Sequence, residues 1–131
     1  MTAETVLVID AEVLVRHEIA EYLRGCGYRV IEASDTDEAM TVIEHSGLVL
    51  DVVLCDAQAV GTVNAFALVR EVRERAPDLE VVLAGNVEKA AKAAGTLCDE
   101  GPHLARPYDP VLVLDRIRRR LAARDRARDE G

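Results

Sequence analysis

Tryptophan is absent from the sequence, phenylalanine occurs once and tyrosine three times. Half of the residues are nevertheless hydrophobic, so any core must be aliphatic, built from Val, Leu, Ile and Ala. Long apolar runs are missing too: none approaches the roughly 18 residues that a membrane span needs. The opening stretch, MTAETVLVID, lacks the basic start and apolar core of a signal peptide. These absences lead us to expect a soluble, cytoplasmic protein with no membrane partner. Cysteine is sparse as well. Cys26, Cys55 and Cys98 are odd in number, far apart and in no CxxC or Cys/His pattern. They read as three small core residues carrying thiols, not as a redox or metal site.

Charge of one sign is also in short supply. The formal net charge is −8, from 16 basic and 24 acidic residues. Residues 111–131 hold seven of the basic and four of the acidic groups, a local sum of +3 that leaves −11 on the other 110. So acidic a chain is a poor binder of nucleic acid. The Arg-rich end reads as a solvated helix face, with an acidic partner as the sharper alternative.

What is present is a regular alternation of two kinds of segment, in a chain of 131 residues that has room for one domain. Runs at 6–9, 29–33, 52–55 and 80–84 are β-branched or aliphatic, and a weaker fifth lies at 103–105. The first, third and fourth are apolar almost throughout, as strands covered on both faces should be. Helical patterns lie between them. Val15, Ile19, Leu23 and Cys26 recur at spacings of three or four before Gly27, a C-cap residue. Asp35 and Glu38 have capping-box spacing, and Ala39, Val42 and Ile43 follow on one face. A third helix starts near Asn64, turns Leu68, Val69 and Val72 inward and stops at Pro77. The Ala-rich VEKAAKAAGTL is the fourth. The fifth opens at Asp109-Pro110 and buries Leu114, Ile117 and Leu121, leaving Arg116, Arg118, Arg119 and Arg120 largely outside. The pattern predicts an α/β fold: a doubly wound, five-stranded parallel sheet in the flavodoxin-like order 2-1-3-4-5, helices on both faces. The expected domain is 1–122, followed by a polar, frayed tail at 123–131.

That order has one crevice, at the carboxyl ends of the first and third strands. Asp10 ends the first strand and Asp56 the third. At ~5.5 Å and an effective dielectric of ~20 their repulsion is on the order of 3 kcal/mol, so a cation is expected between them. The candidates are Mg2+ and the guanidinium of Arg106.

The chain resembles the receiver domain of bacterial two-component response regulators. The carrying residues are IDAE at 9–12, VVLCD at 52–56 with Gly61 downstream, VVLA at 81–84 and ARPYDP at 105–110. The resemblance implies that Asp56 accepts a phosphoryl group from a histidine kinase or phosphotransfer protein. It implies that Asp10, Asp56 and the backbone carbonyl of Gln58 hold Mg2+. A downstream protein would read the surface of the fourth helix, fifth strand and fifth helix, and a homodimer stays open. The departures are specific. Ala11 replaces the second acid of the family's pair, Ala84 its Thr or Ser, Arg106 its Lys, and His103 its switch aromatic. Losing one preorganised donor costs roughly 10²–10³ in rate, so weak metal binding and slow phosphorylation are expected. Arg106 keeps the charge but is a planar fork, able to clamp either the phosphoryl group or Asp56 itself.

Four readings follow. One is a stand-alone receiver with an impaired site. Another is a receiver-derived interaction module that needs no phosphorylation. An aspartyl phosphatase wants a second acid two residues after the nucleophile, where Gln58 stands. A flavodoxin-like electron carrier wants a phosphate loop after the first strand, and DAEV is not one. No small-molecule turnover is expected. His17 and His45 read as exposed helix residues.

Overall fold

The computed structural model describes residues 4–45, 50–100 and 108–130. Within them the chain alternates as the pattern requires: β1 (Thr5–Ile9), α1 (Val13–Gly25), β2 (Arg29–Ala33), α2 (Thr36–His45), β3 (Val52–Asp56), α3 (Ala65–Arg75), β4 (Glu80–Ala84), α4 (Val87–Glu100) and α5 (Pro110–Glu130). The four strands form one parallel sheet in the order β2-β1-β3-β4. This agrees with the expected order as far as it goes. The fifth strand, at 103–105, lies outside the described residues.

Strand alternation divides the core in two. Val6, Val8, Val52 and Leu54 point to one face, packed with Val15, Ile19 and Leu23 of α1, Ala94 and Leu97 of α4, and Val113 and Ile117 of α5. Leu7, Ile9, Val53 and Cys55 point to the other, against Ala39 of α2 and Leu68 and Val72 of α3. Both sides of β1 are therefore dry, which is why its sequence is apolar without interruption.

Local chemistry sets the helix ends. The Asn64 carboxamide oxygen accepts from Ala67 N (2.8 Å), Asn86 from Lys89 N (2.8 Å) and the Asp109 carboxylate from Val111 N (2.9 Å). At α2, Asp35 accepts from Glu38 N (2.7 Å), while the Glu38 carboxylate reaches back to Ser34 N (2.6 Å). The Ser34 N–H and the Ser34 hydroxyl, which donates at 2.8 Å, hold the Glu38 carboxyl below its ordinary pKa. Gly27, at φ 100°, follows the Cys26 cap of α1 in the left-handed region.

Two expectations are corrected. Cys26 and Cys98 are joined by a disulfide, with Cα atoms 5.5 Å apart, so only Cys55 remains a buried thiol. The bond ties the end of α1 to the end of α4, a pairing of distant elements that no local pattern announces. Residues 123–130, expected as a frayed tail, continue α5 to Glu130. Ala and Arg are good helix formers, and Arg124 anchors this stretch to the domain.

Candidate functional site

Parallel register brings the two acids together. Ile9 pairs with Cys55 across β1 and β3, so Asp10 and Asp56 leave adjacent strands at the same edge. Next along, Asp56 pairs with Ala84 of β4, whose carbonyl accepts from Ala57 N (2.9 Å). A cavity of about 280 Å3 opens there, lined among others by Asp10, Glu12, Asp56, Gln58, Ala84 and Asn86. Asp10, Asp56 and Gln58, the three residues expected from sequence to hold a metal, thus line one cavity. Arg106 and His103 lie outside the described residues.

Each carboxylate is held by the backbone that follows it. Gln58 N donates to Asp56 Oδ1 (3.0 Å), and Glu12 N donates to Asp10 Oδ1 (2.9 Å). Burial pushes the Asp10 carboxyl up to about 6, the Glu12 N–H opposes this, and the Asp56 and Glu12 charges reinforce it. The Arg16 guanidinium also draws it down. Arg16 donates from Nη1 to the Asp10 carbonyl (3.0 Å) and pairs through Nε with Glu32 (3.2 Å). Cys55, beneath the site, has its thiol raised to about 12 by burial and by the neighbouring acids.

Gly61 fixes the loop after Asp56. Its φ is 152°, and a Cβ there would lie 2.0 Å from Thr36 Oγ1. That hydroxyl is fully buried and donates to the Val63 carbonyl (2.6 Å), while Thr62 N donates to Asp37 Oδ2 (3.1 Å). The loop after β3 is thus pinned on the start of α2.

The family model for the response regulator receiver domain matches residues 6–118. The chain belongs to that family. The receiver is 28% identical over 118 residues to the transcriptional regulatory protein ResD of Bacillus subtilis, covering 89% of this chain and 48% of that relative. It is 27% identical over 121 residues to the phosphate regulon regulator PhoB of Pseudomonas aeruginosa, covering 90% of this chain and 52% of PhoB. The chain thus spans about half the length of these curated relatives. Among solved structures, the chemotaxis response regulator CheY4 of Vibrio cholerae shares the fold at a TM-score of 0.59 and 23% identity, over 90% of this chain and 98% of that one. The response regulator TrrA of Thermotoga maritima, in complex with Mg2+-BeF, matches with a TM-score of 0.57 and 25% identity, over 62% of this chain and 68% of that one. Among the described residues, no helix is long and apolar enough to cross a membrane.

The donors of the receiver's cavity suit Mg2+ in kind and fall short in number. Carboxylate and carbonyl oxygens are the hard ligands that Mg2+ prefers. Asp10 and Asp56 supply two carboxylates, but Ala11 supplies none, and Glu12 is engaged by Arg124 of α5. Sequence reasoning missed that contact. It also missed Leu121, which lines the same cavity from α5, and Arg16 beneath Asp10. Helix periodicity marked Leu121 as inward-facing but could not say what it faced.

The basic face of α5 is likewise more than solvated charge. Buried Glu18 of α1 pairs with Arg120 (2.9 Å) and Arg116 (3.8 Å), so the arginines at 116, 120 and 124 engage Glu18 and Glu12, the residue that caps α1.

Proposed function

We propose that this receiver takes a phosphoryl group on Asp56, slowly, from a histidine kinase or a phosphotransfer protein inside the cell, and passes the signal to another protein. The observation that carries the reading is the shared cavity of Asp10 and Asp56 at the ends of adjacent strands. One Asp56 carboxylate oxygen attacks phosphorus, the bond from phosphorus to the donor's nitrogen or oxygen breaks, and the donor leaves with that electron pair. Gln58 N–H holds Oδ1 and orients the attacking carboxylate. Bound Mg2+ would neutralise charge on the transferring group, held by Asp10, Asp56 and the Gln58 carbonyl. The Mg2+-BeF complex of TrrA supports that assignment by similarity. Arg106 is the proposed second cation, bonding the phosphoryl group or Asp56. The responding surface would be α4, α5 and the segment between them.

A second reading, a receiver that recognises its partner without phosphorylation, is favoured by Ala84. It lines the cavity beside Asp56 and offers a methyl group where a hydroxyl would hold the phosphoryl oxygen. The test is intact-mass spectrometry after incubation with acetyl phosphate and Mg2+, with Asp56→Asn as control. A gain of one phosphoryl group in the parent and none in the variant supports the first reading. No gain in either supports the second.

A further inference from the structure

The arginines of α5 at 116 and 120 meet Glu18, and the one at 124 meets Glu12, so α5 runs antiparallel to α1 and its later turns arrive at the acidic cavity. Along residues 118–129, every residue is exposed except Leu121 and Arg124. Leu121 lines the cavity, and the Arg124 guanidinium is bonded to Glu12, which lines it too. Beyond Arg120, which pairs with Glu18, this stretch therefore rests on the domain through one leucine and one ion pair. Ion pairs at this exposure are weak and screened by salt, and a single aliphatic side chain adds a modest contact. Upstream, Val113 and Ile117 are fully buried and fix the first half of the helix. The two halves of α5 thus differ in how firmly they are held.

We propose that the second half of α5 is a removable cover on the acidic cavity, latched by Arg124 on Glu12. When latched, Leu121 closes one wall and Glu12 is occupied. When released, the wall opens and Glu12 is freed next to Asp10, where a cation-binding site is short of acids. A partner that draws away this half of α5 would thereby make the cavity accessible. The inference builds on the proposed role of the cavity, but access to it is measured without phosphorylation.

The experiment places a cysteine at Ala84→Cys, inside the cavity, and follows its alkylation by N-ethylmaleimide under non-reducing conditions; Cys55 is buried and Cys26–Cys98 is bonded. Three proteins are compared: A84C alone, A84C with Arg124→Ala, and A84C with the exchanged pair Glu12→Arg and Arg124→Glu. Hydrogen exchange of residues 118–129 is read in parallel. The cover is supported if R124A speeds alkylation threefold or more, speeds exchange in the second half of α5, and the exchanged pair restores both. Equal alkylation rates in A84C and R124A overturn it, whether or not exchange changes. So does unchanged exchange at 118–129, since the pair then latches nothing. Acetyl phosphate labelling that stays at zero in the parent and in R124A would instead refute Asp56 as acceptor, while leaving the alkylation result standing.

Discussion

Asp10 and Asp56 leave neighbouring strands in register, and the burial that brings them together raises the Asp10 carboxyl to about 6. At neutral pH the folded chain therefore holds an ionised carboxylate where a neutral group is preferred. Asp10→Asn should stabilise the protein by about 1–2 kcal/mol at pH 7 in EDTA, because the amide oxygen can still accept from Glu12 N. A raised carboxyl pKa removes stability as pH climbs from about 4 to about 6, so the gain is full above that range and gone below it. Urea unfolding of both proteins at pH 7 and pH 4 is the measurement, and equal midpoints at pH 7 would contradict it.

The disulfide closes a loop across a sequence separation of 72. On chain-entropy grounds that constraint contributes about 4 kcal/mol. Reduction, or Cys26→Ser with Cys98→Ser, should lower the urea midpoint accordingly. Titration with a chromogenic disulfide reagent should find one thiol, Cys55, in denatured, unreduced protein, and three after reduction. In folded protein Cys55 should resist reaction at pH 8, since its thiol is buried and raised to about 12.

The loop that follows Asp56 offers a third test. Gly61→Ala would drive a methyl group into Thr36 Oγ1 and force φ 152° on a residue with a Cβ. Thr36 is buried and bonded to the Val63 carbonyl, so it has little freedom to yield. A loss of about 2–4 kcal/mol is expected on thermal unfolding. Chemical-shift changes should concentrate at residues 56–64 and at the start of α2. Thr36→Ala introduced alongside should recover part of the loss, because it removes the atom in the way.

Much of this was legible in the sequence, and the limits have a physical pattern. The four strands, the caps at Asn64 and Asp109 and the capping pair of Asp35 and Glu38 are encoded within a few residues of one another, and all stand. The meeting of Asp10 and Asp56 followed from strand order alone, since parallel strands end on one edge. The Cys26–Cys98 bond, the pairing of Arg120 with Glu18 and the latch of Arg124 on Glu12 were not legible. Each depends on how helices cross one face of the sheet, which spacing within a helix does not specify. The helical state of 123–130 is not legible either, because polarity alone does not separate disorder from a helix that is polar all round and anchored by one residue.

Ala11 is exposed and stands between Asp10 and Glu12, both of which line the acidic cavity. Ala11→Asp adds a hard oxygen ligand without displacing a packed side chain. Mg2+ binding by calorimetry should tighten about tenfold or more over the parent, whose affinity should be weak. Tight binding by the parent at physiological Mg2+ would contradict a shortage of ligands.

Asp56 should be labelled slowly by acetyl phosphate, and the label should change the conformation little. Slowness follows from Ala11, which leaves the metal short of a ligand, and from the cover that α5 places on the cavity. The small response follows from Ala84. A bound group shifts an equilibrium only by its differential affinity for the two states, and a methyl group gives the phosphoryl oxygen nothing to bond. The missing hydrogen bond to a charged group is worth roughly 1.5–3 kcal/mol. Ala84→Thr should supply it, at some cost in stability, since residue 84 is buried and an added hydroxyl must find a partner there. Amide spectra before and after labelling decide the matter. Small shifts in the parent, with larger shifts through residues 84–100 in A84T, are expected. Large shifts across α4 in the parent itself would show that Ala84 is no obstacle and that another donor does the pulling.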